Sequence, residues 1–189
     1  MSFTDPTRDA QRAFRAVLDA LAHPTRPFPI TGPDRPPAPL GRAAAAVGLT
    51  LCDDDTPVWI DPVLAADGAV AAWFAFHTGA PVLSGPAEAA FVFATGFDAL
   101  PPLTALAAGT PEQPHTSATI VLETTGRNGR EYRATGPGID GEAGLVAPAA
   151  FGEFWRQNTE RFPLGVDLLL VEGDRVRGLP RTTTLEGVS

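Results

Sequence analysis

Ala-Phe-Val-Phe-Ala-Thr at residues 90–95 and Ala-Thr-Ile-Val-Leu-Glu at residues 118–123 are short runs rich in β-branched and aromatic side chains. Runs of this length and composition, bounded by glycine- and proline-containing segments, read as buried strands. Between them Asp98 is placed to cap a small helix that Gly109 would close, and before them Ala69 to Phe76 is an apolar stretch of helical character. Strand and helix in alternation is the pattern of α/β proteins, and it sets the fold class.

Outward from that pattern, the clearest helix lies near the start of the chain. Asp5 is positioned as its cap with Pro6 in the first turn, and Phe14, Val17, Leu18 and Leu21 recur at helical spacing until His23-Pro24. Those four side chains are the expected core face. Arg8, Arg12, Arg15 and Asp19 share the other face, as a solvated surface or as a docking stripe for an acidic partner. Proline density from Arg26 to Pro39 predicts an extended surface connection. Arg42 to Leu51 predicts a short buried helix ending at Asp53-Asp54-Asp55, and Thr56 to Ile60 a strand.

Glu123 to Thr135 reads as a hairpin turning at Asn128-Gly129, and Val166 to Val171 with Arg175 to Leu179 as a second around Gly173-Asp174. Phe151, Phe154 and Trp155 mark one face of a helix between them. No repeat or composition shift divides the chain. Its 189 residues, 44% hydrophobic, are therefore expected to form a single domain over residues 1–189.

Charge and residue usage exclude several function classes. A formal net charge of −8 argues against nucleic acid or an anionic membrane as partner. All 14 basic side chains are arginine, and lysine does not occur. The chain therefore cannot supply a Walker lysine or the Schiff-base lysine of a pyridoxal-phosphate enzyme. Cys52 is the single cysteine, which rules out an internal disulfide and a multi-thiolate zinc site. Beside an acidic cluster it is expected to be a poor thiolate. Met1 to Arg8 lacks a signal-peptide layout and no apolar run reaches membrane-spanning length, so a cytoplasmic, non-membrane protein is expected.

No complete catalytic constellation emerges, and neither a catalytic residue, a cofactor nor a resident metal is assigned. The candidate ligand or interface residues are Asp53, Asp54, Asp55, His77, Thr78, Arg181 and Thr182. Neighbouring carboxylates at a helix carboxyl end need compensation, either from magnesium or from a turn cap, an arginine and solvent. His77-Thr78 is either an anion-binding pair or a packed histidine beside a hydroxyl. Arg181 with Thr182 and Thr183 offers a guanidinium fork and hydroxyls that suit an anion or anchor a chain end. Gly136-Pro137-Gly138-Ile139-Asp140-Gly141 matches GxGxxG by letter, but Gly144 and Pro148 deny it the following helix, and it reads as a glycine-rich loop.

Six segments, in order, resemble the H subunit of the carbon-phosphorus lyase system (PhnH). They are Asp9-Ala10-Gln11 with Phe14-Arg15; Thr50-Leu51-Cys52-Asp53-Asp54-Asp55-Thr56-Pro57-Val58-Trp59; Phe76-His77-Thr78 with Ala80-Pro81; Thr135-Gly136-Pro137-Gly138-Ile139; Phe162-Pro163-Leu164-Gly165-Val166-Asp167; and Pro180-Arg181-Thr182-Thr183. The resemblance implies a cytoplasmic protein that is a homodimer alone and joins the G, I and J subunits of a bacterial core complex. That complex forms a ribose 1-phosphonate 5-triphosphate by displacing adenine from ATP with a phosphonate. The later iron-sulfur radical step belongs to the J subunit.

The H subunit is required there without catalytic residues of its own. The implied fold is a three-layer α/β/α arrangement around a mixed β-sheet, similar to the pyridoxal-phosphate-dependent transferases but without their lysine. Two alternatives stand beside the non-catalytic subunit. In one, Asp53 to Asp55, His77 and Arg181 bind triphosphate or phosphonate directly; in the other, the chain is a dimeric member of an unrelated assembly.

Overall fold

The two runs that set the fold class become neighbouring parallel strands in a computed structural model of the chain, which describes residues 3–124 and 129–188. In chain order the elements are α1 (Pro6–Ala22), β1 (Phe28–Pro29), α2 (Arg42–Leu51), β2 (Val58–Ile60), α3 (Pro62–Ala65), α4 (Ala69–Thr78) and β3 (Phe91–Ala94). Then follow β4 (Thr119–Glu123), β5 (Arg130–Thr135), β6 (Ala143–Ala147), α5 (Phe151–Thr159), β7 (Asp167–Glu172), β8 (Arg175–Leu179) and β9 (Thr184–Gly187).

Six strands form one sheet in the order β1-β8-β7-β4-β3-β2. From β2 to β7 they run parallel, and β8 and β1 extend the sheet antiparallel, so the expected mixed sheet is present. A second, antiparallel sheet has the order β6-β5-β9.

Apolar strands without alternation need cover on both faces. Phe93, Val121, Leu169 and Val176 join the core beneath α1, α2 and α4. Val92, Ile120, Leu168 and Leu179 join the opposite core, where Phe151 and Trp155 of α5 meet Tyr132, Leu145 and Ala147 of the second sheet. The third layer is therefore one helix plus a small sheet, rather than helices alone.

Other expectations are corrected by tertiary pairing. β4 pairs with β3 and β7, while β5 pairs with β6 and β9, so these two strands are not a hairpin. Burial on both faces draws β4 into the main sheet. Asn128 lies outside the described residues. The hairpin of β7 and β8 forms as read, with Gly173 at φ 57°. Between β3 and β4 the chain makes only short 3₁₀ turns at Phe97–Ala99, Leu103–Ala105 and Pro114–Thr116. Pro101, Pro102, Pro111 and Pro114 remove the donors an α-helix would need there.

α1 starts where its cap places it: the Asp5 carboxylate accepts from the Arg8 amide at 3.2 Å. Its buried face is a correction. Ala13, Ala16, Val17 and Ala20 meet the core, whereas Phe14 and Leu18 are each 53% exposed. The cause is the close approach of β8, since a Cβ on Gly178 would stand 2.5 Å from the Ala20 carbonyl oxygen. Backbones this near leave room for alanine and none for phenylalanine.

Gly178→Ala is expected to force helix and strand apart and cost about 1–3 kcal/mol, read as a lower midpoint in thermal denaturation. Gly85→Ala, whose Cβ would meet nothing within 4 Å, is expected to leave the midpoint unchanged.

Candidate functional site

The candidate residues gather at the amino ends of the parallel strands, in two separate groups. The first follows α2. Asp53 closes the turn into β2, accepting from the Asp55 amide at 3.1 Å and the Thr56 hydroxyl at 2.5 Å. All three aspartates are exposed, and among the described residues none of them pairs with an arginine. The turn cap is present; the arginine partner is not.

The carboxyl end of α4 lies beside this turn, because a Cβ on Gly79 would stand 3.3 Å from the Asp54 Cβ. His77 packs its ring against Trp73 and Phe76, at centroid distances of 5.2 and 4.9 Å. Burial holds its pKa below the usual imidazole value. The Thr78 hydroxyl donates to the Phe74 carbonyl at 2.7 Å and accepts from the Ala80 amide at 3.1 Å, which closes the helix. Cys52, just before the aspartates, is pushed up to about 12 by burial first and the Asp53 charge second. It is no nucleophile. Among the described residues no three His, Cys, Asp or Glu groups converge as metal ligands.

Arg181 sits elsewhere, after β8 and beside the start of β7. β4 and β3 separate that position from β2, so it lies roughly 14 Å away at ordinary strand spacing. Its guanidinium reaches Asp167 Oδ2 at 2.6 Å, the Pro114 carbonyl at 2.9 Å and Ser117 Oγ at 2.5 Å. Its amide donates to Asp167 Oδ1 at 2.8 Å. With these partners it fastens the end of β8 to β7 and to the loop before β4. Thr182 is exposed and Thr183 buried, where the Thr183 carbonyl accepts from the Trp155 indole at 2.7 Å.

The opposite end of the sheet holds a cavity of about 450 Å³ between the carboxyl ends of β3, β4 and β7 and the second sheet. Leu122, Leu170, Phe97 and Phe151 line it, with Thr95, Glu172 and Arg177 among its polar groups. Asp61 organises the neighbouring loop: fully buried, it accepts from the amides of Leu64 and Thr95 and from the Thr95 hydroxyl, each at 2.7 Å. Glu123 accepts from the Gly41 amide at 2.8 Å, at the amino end of α2. Burial raises the Glu123 pKa, the Gly41 hydrogen bond opposes this, and the Asp61 charge adds to the rise.

Sequence reasoning missed this cavity. Its signal was an acidic residue at the carboxyl end of three strands, Asp61, Glu123 and Glu172, where crevices of open α/β sheets lie.

Residues 1–186 match the family described as bacterial phosphonate metabolism protein (PhnH). The chain belongs to the PhnH family. Among relatives, the chain is 41% identical over 191 residues to "Alpha-D-ribose 1-methylphosphonate 5-triphosphate synthase subunit PhnH" of Rhizobium meliloti, a match covering 98% of this chain and 94% of that protein. It is 34% identical to "Putative C-P lyase subunit protein HtxG" of Stutzerimonas stutzeri, with 92% and 84% covered. In this chain the family-like segments at residues 50–59, 76–81, 162–167 and 180–183 all fall at the amino end of the parallel sheet, away from the cavity.

Because Arg181 anchors these three partners, Arg181→Ala is expected to lose roughly 2 kcal/mol of stability, with Arg181→Lys restoring little because an ammonium lacks the planar fork that spans them. Urea unfolding checks both. Glu123 supplies a pH test. Its raised folded pKa means that its favourable contribution is complete below the unfolded pKa and is lost as pH rises through the folded pKa. Glu123→Gln keeps an acceptor for Gly41, so its stability relative to the parent is expected to increase between pH 4 and pH 7.

Proposed function

We propose that this chain is the H subunit of a bacterial carbon-phosphorus lyase core complex. In that role it supports formation of ribose 1-phosphonate 5-triphosphate from ATP and a phosphonate, acting through association with the G, I and J subunits. The family match over residues 1–186 carries the reading. The chemistry of the described residues is consistent with it: Cys52 is buried with its pKa near 12, Arg181 is engaged by protein groups, and no lysine can form an aldimine. A homodimeric state for the isolated chain, a cytoplasmic location and a likeness of the mixed sheet to the pyridoxal-phosphate-dependent transferases belong to the same reading.

A second reading keeps Asp53 to Asp55, His77 and Arg181 as a phosphonate or triphosphate site with magnesium that contributes directly to the adenine-displacing step. The contact of Asp54 with the end of α4 favours it, and the separate, committed position of Arg181 weighs against it.

Co-expression of the tagged chain with the G, I and J subunits, followed by size-exclusion chromatography, tests the proposal. Stoichiometric co-elution is expected. A chain that elutes by itself in the presence of all three overturns it, while heat on titrating the isolated chain with magnesium, ATP and methylphosphonate would favour the second reading.

A further inference from the structure

α4 is apolar on every side, a composition suited to a helix enclosed all round. Yet only Val70, Trp73 and Phe74 of its residues are buried. Phe76 is 83% exposed, and Val63 on the adjoining α3 is 52% exposed. Ala72 and Ala75 lie exposed on the same helix. From Pro62 to Phe76 the sequence holds a single charged side chain, Asp67. Ala72, Ala75 and Phe76 fall at helical spacing on one exposed face, and an exposed apolar face of this kind marks a contact region.

Both ends of this face carry charge of one sign. At the amino end of α4 the Asp67 carboxylate accepts from the Ala69 amide at 2.9 Å. At the carboxyl end Gly79 abuts Asp54, with Asp53 and Asp55 in the same turn. Among the described residues none of these four carboxylates has an ion-pair partner. Three of them also sit at the carboxyl end of α2, where the helix dipole disfavours negative charge. An apolar centre with a polar rim is the anatomy of a protein interface.

We infer that the α3–α4 face docks a partner subunit that presents an apolar centre between basic side chains. The inference rests on the complex-subunit reading and names the surface that reading would use. Electrostatics selects against a second copy as the occupant. The chain carries −8, and laying α4 against its own image opposes carboxylates to carboxylates whichever way the helices run. A basic-rimmed partner instead covers Phe76 and compensates the acidic turn after α2.

The test co-expresses the tagged chain with the G, I and J subunits in three forms: unmodified, Phe76→Asp, and the double change Asp54→Lys with Asp55→Lys. All three altered side chains are exposed, so thermal midpoints are expected to stay at the parent value. Phe76→Ser replaces the aspartate variant if that one melts early. The unmodified chain is expected to co-elute with its partners. Phe76→Asp is expected to weaken association about 30-fold, the scale of a central interface residue. Charge reversal is expected to weaken it about tenfold at low salt, with the difference shrinking as salt rises.

Undiminished co-elution of both variants overturns the inference and leaves the complex reading standing. Conversion of an isolated dimer to a monomer by Phe76→Asp also overturns it, by making a second copy the occupant. Failure of the unmodified chain to co-elute removes the complex reading and this inference with it.

Discussion

The contact between α1 and β8 governs how the first layer of this protein is built. Gly178 brings the strand so near the Ala20 carbonyl that the helix must present alanine there, and a helix seated on alanine buries little side-chain area of its own. Stability is accordingly concentrated in the sheet. β4 and β7 are covered on both faces, and Val121, Leu122, Leu168 and Leu169 are almost wholly removed from water. At about 25 cal/mol per Å² of apolar surface, such side chains carry the main favourable contribution to folding. The helices and the second sheet are arranged to keep that sheet dry.

With that arrangement the two ends of the sheet acquire different chemistry. At the carboxyl ends, buried or half-buried carboxylates organise backbone: Asp61 holds the loop after β3 and Glu123 holds the amino end of α2. At the amino ends, Arg181 binds β7, β8 and the preceding loop together, while Asp54 and Asp55 stay in water. Most of the described polar groups that face inward are bonded within the protein, the hydroxyls of Thr50 and Thr183 excepted. Among the other polar groups, Asp54 and Asp55 lie on the surface.

Much of this was legible in the residues. The β-rich runs, the alanine helix α2, the capped start of α1 and the β7–β8 hairpin all follow from short-range rules on apolar spacing, caps and turns. The failures were long-range. Phe14 and Leu18 have helical spacing that looks like a core stripe, and only the closeness of Gly178, far away in sequence, turns them outward. β4 and β5 look like hairpin partners because they are adjacent in the chain, yet burial of both faces of β4 sends them to different sheets. Arg181 has the chemistry of an anion ligand, and nothing local reveals Asp167, Pro114 and Ser117 as its partners. A turn cap among the aspartates could be read because its donors, the Asp55 amide and the Thr56 hydroxyl, are two and three residues from Asp53; the carboxyl-end cavity could not, since it is assembled from β4, β5, β6, β7, β8 and the segment after β3.

The order in which these elements leave a ribosome differs from the order in which they can be satisfied. α1 is made long before its seat on β8, and β1 pairs with that same strand. The second sheet likewise waits for β9 before β5 is paired on both sides. Contacts that span nearly the whole chain close only after large loss of loop entropy and make folding slow. The contacts of α1 and β5 are thus completed only once β8 and β9 have been made, and until then the β-rich runs at residues 90–95 and 118–123 are open to chaperones or to aggregation.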